Sequence, residues 1–344
     1  MPEGHERREP PERPAVALAY YAGIEPPPFD GAQLERLAGF ADLLDPEPLT
    51  DLRGERATTV LADTDVLLGH WGCPPLDADA LARAPHLRTL AYAAGTVKFA
   101  LTPAVWEREI LVTSAAVANA QPVAEFTLAA ILLANKGAFL RRDLMRRPEA
   151  DLPERADMLP GNRSKQVGIV GASHVGRHLL RLLEPYDLTT VVADPYLTED
   201  AAASLGTRVV DLDELLATSH VVTIHAPELP ETRHMIGADQ LRLMADGATL
   251  INTARGSIVD TDALEAELVS GRLSAVLDVT DPEPLPRTSP LYELPNVFLT
   301  PHLAGSQGTE VGRMADLALD EVERFAAGRP PLHPVREQDL GRIA

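Results

Sequence analysis

The segment Gly171-Ala-Ser-His-Val-Gly176 lies between an apolar run and a helical pattern, and it resembles the dinucleotide loop G-x-G-x-x-G. Gly171 permits the tight turn, and Gly176 lets the helix pack closely on its strand. The helix start then offers unpaired N–H groups and a positive dipole end to a pyrophosphate. Ser173 stands where the middle glycine normally allows the closest backbone approach; its hydroxyl can donate a hydrogen bond to phosphate instead. So broken a fingerprint decides little alone. Asp194, 23 residues after Gly171, ends the next apolar run. An acidic side chain there bonds ribose hydroxyls and repels a 2′-phosphate. An Asp before a Pro is commonly a turn residue, but the order loop, helix, strand, acid points to a dinucleotide, with NAD preferred over NADP.

More polar residues close the later apolar runs. His225-Ala-Pro227 ends one, Asn252-Thr-Ala-Arg255-Gly256 the next, then Asp278, then Thr300-Pro-His302. In open parallel sheets the ligand crevice lies outside the carboxyl ends of the strands. Arg255, Asp278 and His302 are therefore expected in one crevice, with Glu283 in the loop just after Asp278. A guanidinium there can anchor an anion, and an imidazole can carry a proton near neutral pH. Taken singly, each of these residues has a plainer role in a capped or solvated loop; their joint order carries the argument.

Strand–helix alternation must position these residues, and it implies parallel sheets. An earlier set of apolar runs, 15–22, 66–69, 87–93 and 110–114, reads as strands buried on both faces. Helical patterns at 34–43, 78–84 and 103–108 separate them. A helix over 122–138 follows, apolar on nearly every side, with Pro122 placed in its first turn. Residues 136–165 read as an extended connecting arm. The second set has strands at 166–170, 189–193, 221–225, 249–252, 274–279 and 297–300. Its helices are expected at 175–183, 213–216, 238–244 and 260–268, and a last helix at 309–327 stops at Gly328.

Composition narrows the function classes. The 344 residues suggest about two domains, and 45% hydrophobic content is ample for their cores. A net charge of −20 disfavours nucleic acid. The single Cys73 excludes a disulfide framework and any multi-cysteine metal site, and no metal is expected. No apolar run reaches the length of a membrane span, the best being 126–134. Residues 1–14 read as a disordered leader without a signal-peptide core. A soluble, cytoplasmic protein is expected.

The ordered motifs resemble the NAD-dependent D-isomer-specific 2-hydroxyacid dehydrogenase family. They are Val167-Gly-Ile-Val-Gly-Ala-Ser-His-Val-Gly176, Ile224-His-Ala-Pro-Glu-Leu-Pro-Glu-Thr-Arg-His-Met-Ile236 and Leu250-Ile-Asn-Thr-Ala-Arg-Gly-Ser-Ile-Val-Asp260. Ala275-Val-Leu-Asp-Val279, Glu283-Pro284 and Leu294-Pro-Asn-Val-Phe-Leu-Thr-Pro-His-Leu-Ala-Gly305 continue the set, which spans about residues 85–330. The resemblance implies an α/β fold of two parallel-sheet domains, Rossmann-like and flavodoxin-like. The substrate domain is discontinuous, 15–118 with 309–344, around an NAD-binding domain over 119–308. The arm, 136–165, lies where family members pair, so a homodimer is expected.

The resemblance also assigns roles. Arg255, Glu283 and His302 match the catalytic residues: Arg255 binds the substrate carboxylate and polarises the carbonyl, His302 transfers the proton, and Glu283 orients it. Ala94-Gly-Thr-Val-Lys-Phe99 matches the carboxylate loop, in which the N–H groups of Thr96 and Val97 hold the substrate. Val97 stands at a usual glycine, and its side chain is expected to narrow the approach. NAD is assigned to Gly171, Ser173, His174, Val175, Gly176, Asp194, Ala226, Thr253, Asp278, His302 and Ala304. Asn119 and Glu125 match positions near the hinge, and Trp71 is a candidate for the pocket lining. The expected reaction interconverts a 2-oxo acid and its (R)-2-hydroxy acid. The alternatives are a dinucleotide-sensing, corepressor-like interaction protein and a phosphite- or formate-type dehydrogenase.

Overall fold

The computed structural model describes residues 11–146 and 161–343. Most of the expected leader and the middle of the expected arm lie outside them. The chain divides into two units, Met1–Asn119 with Ser306–Ile343, and Ala120–Gly305.

In the first unit, β1 (Ala15–Ala19), β2 (Asp42–Leu43), β3 (Val66–Gly69), β4 (Thr89–Tyr92) and β5 (Leu111–Ser114) form a parallel sheet. Their order is β2-β1-β3-β4-β5, the flavodoxin-like winding, and Pro334–Val335 adds antiparallel to β5. The strands read as unbroken apolar runs because both faces are covered. Val16, Leu18, Val66, Leu68 and Ala91 enter one core cluster, whereas Ala17, Ala19, Leu67 and Leu90 enter another. Successive residues point to opposite faces, so one run fills two cores. The last helix, Val311–Ala326, contributes Ala315, Ala318, Leu319 and Val322 to the first of these.

The expected helix over 34–43 is displaced. It runs Gly31–Ala38, because Asp30 and Gln33 form a reciprocal cap at its start. The chain beyond Gly39 then turns to pair Leu43 with Val16, so the end of the expected helix is strand.

The second unit has seven parallel strands: β6 (Lys165–Val170), β7 (Leu188–Ala193), β8 (Arg208–Val209), β9 (Val221–Ile224), β10 (Thr249–Asn252), β11 (Ser274–Leu277) and β12 (Val297–Leu299). Their order, β8-β7-β6-β9-β10-β11-β12, reverses direction between β6 and β9, the switch point of a Rossmann sheet. Val170 pairs with Ala193 and Ile224, Ile224 with Asn252, Asn252 with Leu277, and Leu277 with Leu299. Six strands therefore end level. The next residue of each, Gly171, Asp194, His225, Thr253, Asp278 or Thr300, stands along one edge.

Two expectations in this unit need correction. The apolar helix begins at Ala116, not at Pro122, and runs to Asn135 with the proline inside it. The Ser114 hydroxyl accepts from the Ala116 N–H and the Ala115 carbonyl from Asn119, which starts the helix upstream. At 20 residues it is long and apolar enough to cross a membrane by length and composition, contrary to the reading of the bare run. Packing accounts for that composition: Ala124, Ala130 and Ile131 are buried in the core with Val167 and Ile169. The described start of the expected extended arm is also helical, Ala138–Met145. Phe139 stacks on Phe298 at 4.5 Å between centroids and fixes that helix to β12.

Candidate active site

The loop after β6 is shaped by two glycines with different reasons. Gly171 has φ of 98°, and a Cβ there would lie 2.7 Å from the Ala226 nitrogen. A Cβ on Gly176 would lie 2.2 Å from the Gly171 carbonyl oxygen. No side chain fits at either position, so loop, helix start and the strand end after β9 are brought together as a phosphate cradle requires. Ser173 caps the helix His174–Leu183, its hydroxyl oxygen accepting from the Gly176 N–H at 3.4 Å. It thus takes the place of a glycine as an N-cap, and its proton remains available to a phosphate oxygen. Val175 follows in the first turn, whose N–H groups lack intrahelical acceptors.

Asp194 is tied back to this loop. One carboxylate oxygen accepts from the Ala172 N–H at 2.7 Å and the other from Tyr196 at 2.8 Å. Each oxygen keeps a lone pair for a ribose hydroxyl. His225, at the end of β9, is buried and bonded to the Thr223 hydroxyl at 3.0 Å. Burial pushes its pKa down to about 3, so it packs as a neutral ring. Ala226 is nearly buried against Gly171, and Thr253 shares a 3.2 Å hydroxyl contact with Thr127. The loop glycines, the capped helix start and Asp194 fit a bound NAD.

Three adjacent strand ends hold the side chains expected to react. After β10, the buried Asn252 accepts from the Ala254 N–H at 3.0 Å and donates to the Arg255 carbonyl at 2.8 Å, closing the turn that presents Arg255. The Arg255 Nη1 donates to the Ala254 carbonyl at 2.6 Å. Gly256 then packs on the loop after β11, where a Cβ would meet the Thr280 carbonyl carbon at 2.0 Å. That contact sets the Arg255 turn against the loop that carries Glu283. Thr261 and Thr280 secure the same loop by donating to the carbonyls of Asp281, at 2.7 Å, and Pro282, at 2.9 Å.

Asp278 organises the third strand end. Its carboxylate, 2% exposed, accepts from the Thr300 hydroxyl at 2.6 Å, the Leu303 N–H at 2.8 Å and the Ala304 N–H at 2.9 Å. Its backbone carbonyl accepts from the His302 N–H at 2.9 Å. His302 itself has φ of 53°, a left-handed conformation that costs roughly 1–2 kcal/mol for such a residue and is held by these bonds. The His302 Nδ1–H donates to Glu283 Oε1 at 2.8 Å, and both side chains remain about half exposed. Nε2 is thereby turned outward. A groove of about 880 Å³ begins beside Glu283 and Thr300 and continues past Leu285, Leu291, Phe298 and Arg142.

The expected carboxylate loop belongs to the first unit, after β4. Val97 is 1% exposed and packs in the core with Cys73, Tyr92 and Ala100. Its side chain points inward, so it does not narrow the loop as its replacement of glycine suggested. Ser114 donates to the Gly95 carbonyl at 2.7 Å and steadies the turn before Thr96. Asn119 accepts from the Ser306 N–H at 3.0 Å, and Glu125 from Gln121 at 2.8 Å. Trp71 follows β3 and is 37% exposed. Among the described residues no group of three or more His, Cys, Asp or Glu could hold a metal. Asn252, Gly256 and Thr300 lay within the quoted motifs, but residue type alone did not show what they hold.

The sequence profile of the D-isomer specific 2-hydroxyacid dehydrogenase, NAD binding domain, matches residues 128–304. A glyoxylate reductase of Korarchaeum cryptofilum is 32% identical over 268 residues, covering 77% of this chain and 80% of that protein. A D-3-phosphoglycerate dehydrogenase of Methanocaldococcus jannaschii is 30% identical, and the match covers 82% of this chain but 53% of that longer protein. Among solved structures, a phosphoglycerate oxidoreductase from Rhizobium etli superposes with a TM-score of 0.77 at 25% identity, covering 94% of this chain and 98% of that one. The two parallel-sheet units and these matches agree: the chain belongs to the NAD-binding D-isomer-specific 2-hydroxyacid dehydrogenase family.

Proposed function

We propose that His302, Glu283 and Arg255 carry out the interconversion of a 2-oxo acid and its (R)-2-hydroxy acid in this chain. The observation that supports this most directly is the 2.8 Å His302–Glu283 pair, which stands at the ends of β12 and β11, the latter beside the strand whose end bears Arg255. Bound NAD(H) supplies or accepts the hydride. Glu283 takes the Nδ1–H, orients the ring and offsets the charge of the imidazolium. Nε2 is left to give a proton to the carbonyl oxygen in reduction and to remove it in oxidation. Arg255 binds the carboxylate and stabilises negative charge developing on that oxygen.

Asp194 supports NAD over NADP, since a 2′-phosphate would meet its carboxylate. Asp278 has most of its lone pairs committed to the 300–304 loop, and the remaining one on Oδ2 suits a carboxamide N–H. A homodimer is supported by the resemblance alone, in which residues 136–165 lie where family members pair. The test is NADH oxidation with 2-oxo acids, followed by chiral analysis of the product. An (R)-hydroxy acid is expected, and Arg255→Gln should raise KM at least about tenfold. An (S) product, or an unchanged KM in the variant, contradicts the assignment.

A further inference from the structure

Aromatic residues make up only 4% of the chain. Yet Tyr20, Tyr21, Phe29, Trp71, Tyr92 and Phe99 all lie at the carboxyl ends of β1, β3 and β4 or in the loops that follow. Tyr21, Trp71 and Phe99 are 63%, 37% and 75% exposed. Single exposed aromatics need no account, but two of these are built into place. A Cβ on Gly23 would lie 2.6 Å from the Tyr21 ring, and one on Gly72, with φ of 80°, 2.6 Å from the Tyr21 Cβ. Tyr21 is thus bracketed by two glycines, and its N–H donates to the Trp71 carbonyl at 2.9 Å. Trp71 meets the ring of His70 edge to face at 4.5 Å, and the fully buried His70 meets Tyr20 at 6.3 Å. Neither His70 nitrogen has a hydrogen-bond partner; the ring serves as a buttress under Trp71.

Preorganised, exposed aromatic rings on a sheet edge bind apolar groups at little entropic cost. This edge belongs to the same unit as the Thr96–Val97 loop, and Phe99 ends that loop's segment. Charge points the same way. Residues 20–29 and 70–76 contain no Lys or Arg, and 94–99 contain Lys98 alone, a poor setting for a phosphorylated side chain. We propose that Tyr21, Trp71 and Phe99 form the subsite for the substrate's side chain, and that the 2-oxo acid used by this chain bears an aryl or branched apolar group.

This inference rests on the reading of the chain as a 2-oxo acid reductase. It is tested by kcat/KM with NADH for phenylpyruvate, 4-methyl-2-oxopentanoate, glyoxylate and phosphohydroxypyruvate. One of the first two should exceed glyoxylate by at least about tenfold. Trp71→Ala should lower that preference by about tenfold to a hundredfold, with Trp71→Phe in between. If Trp71→Ala does not fold, Tyr21→Ala and Trp71→Phe report the same ratio. Preference for glyoxylate or phosphohydroxypyruvate overturns the inference and leaves the reductase reading standing. So does a preference that neither Trp71 nor Tyr21 substitutions change. Absence of turnover with all four overturns both.

Discussion

Side chains that never touch a reactant decide where the reactive ones stand. Gly256 is the clearest case, because a Cβ there would sit 2.0 Å from the Thr280 carbonyl carbon. Gly256→Ala must push the Arg255 turn away from the Glu283 loop, and a misplacement near 1 Å costs about a hundredfold in rate. A fall of kcat/KM of about that size is expected, with NADH affinity close to wild type by titration; wild-type kcat/KM would show that the loops give way freely. Asp278→Asn turns an acceptor of a buried N–H or hydroxyl into a donor. It should cost about 1–3 kcal/mol in chemical denaturation and loosen the 300–304 segment that carries His302. The motifs named the candidate reactive residues, whereas the supports were legible only as letters. Asn252, Gly256 and Thr300 hold partners 2 to 24 residues away, and one chain of letters does not say which partner each one meets. Val97 shows the opposite limit: its departure from glycine looked like an obstruction, but its side chain enters the core.

Elements were legible where an apolar run is bounded by a cap or a glycine. Val66–Gly69 and Thr249–Asn252 stand where the sequence placed them, since strands covered on both faces leave unbroken apolar runs. The two-residue β8 and the short helix Glu199–Ser204 were not, being too brief for periodicity to show. Pro122 misled because proline at a first turn is common, yet the caps upstream lengthen the helix across it. The ends of β3 and β9 each bury a histidine, His70 and His225, whose pKa burial lowers to about 3. The unfolded chain binds those protons below about pH 6.5 and the folded chain does not. Stability should therefore fall as pH drops from 6.5 toward 3, by roughly 1 kcal/mol per pH unit for each histidine. Denaturation midpoints at several pH values should show His70→Phe less acid-sensitive than wild type; equal slopes would contradict buried neutral rings.

At the scale of the whole molecule, two parallel sheets of different winding share one chain, and the second is inserted into the first. Strand–helix rhythm suggests both sheets, but the return of the last helix to the first unit is legible only through the family's motif order. The net charge of −20 disfavours a nucleic-acid partner without opposing a small acid, since salt screens distant charges over about 8 Å. What would act on a substrate at the proposed site is local, the charges of Arg255 and His302. The most direct test compares NADH oxidation by wild type and His302→Ala with the best 2-oxo acid, alongside NADH binding. Turnover should fall by about a hundredfold to ten-thousandfold in the variant, with NADH affinity within about twofold of wild type. Turnover within about threefold of wild type would remove His302 from the chemistry and contradict the account.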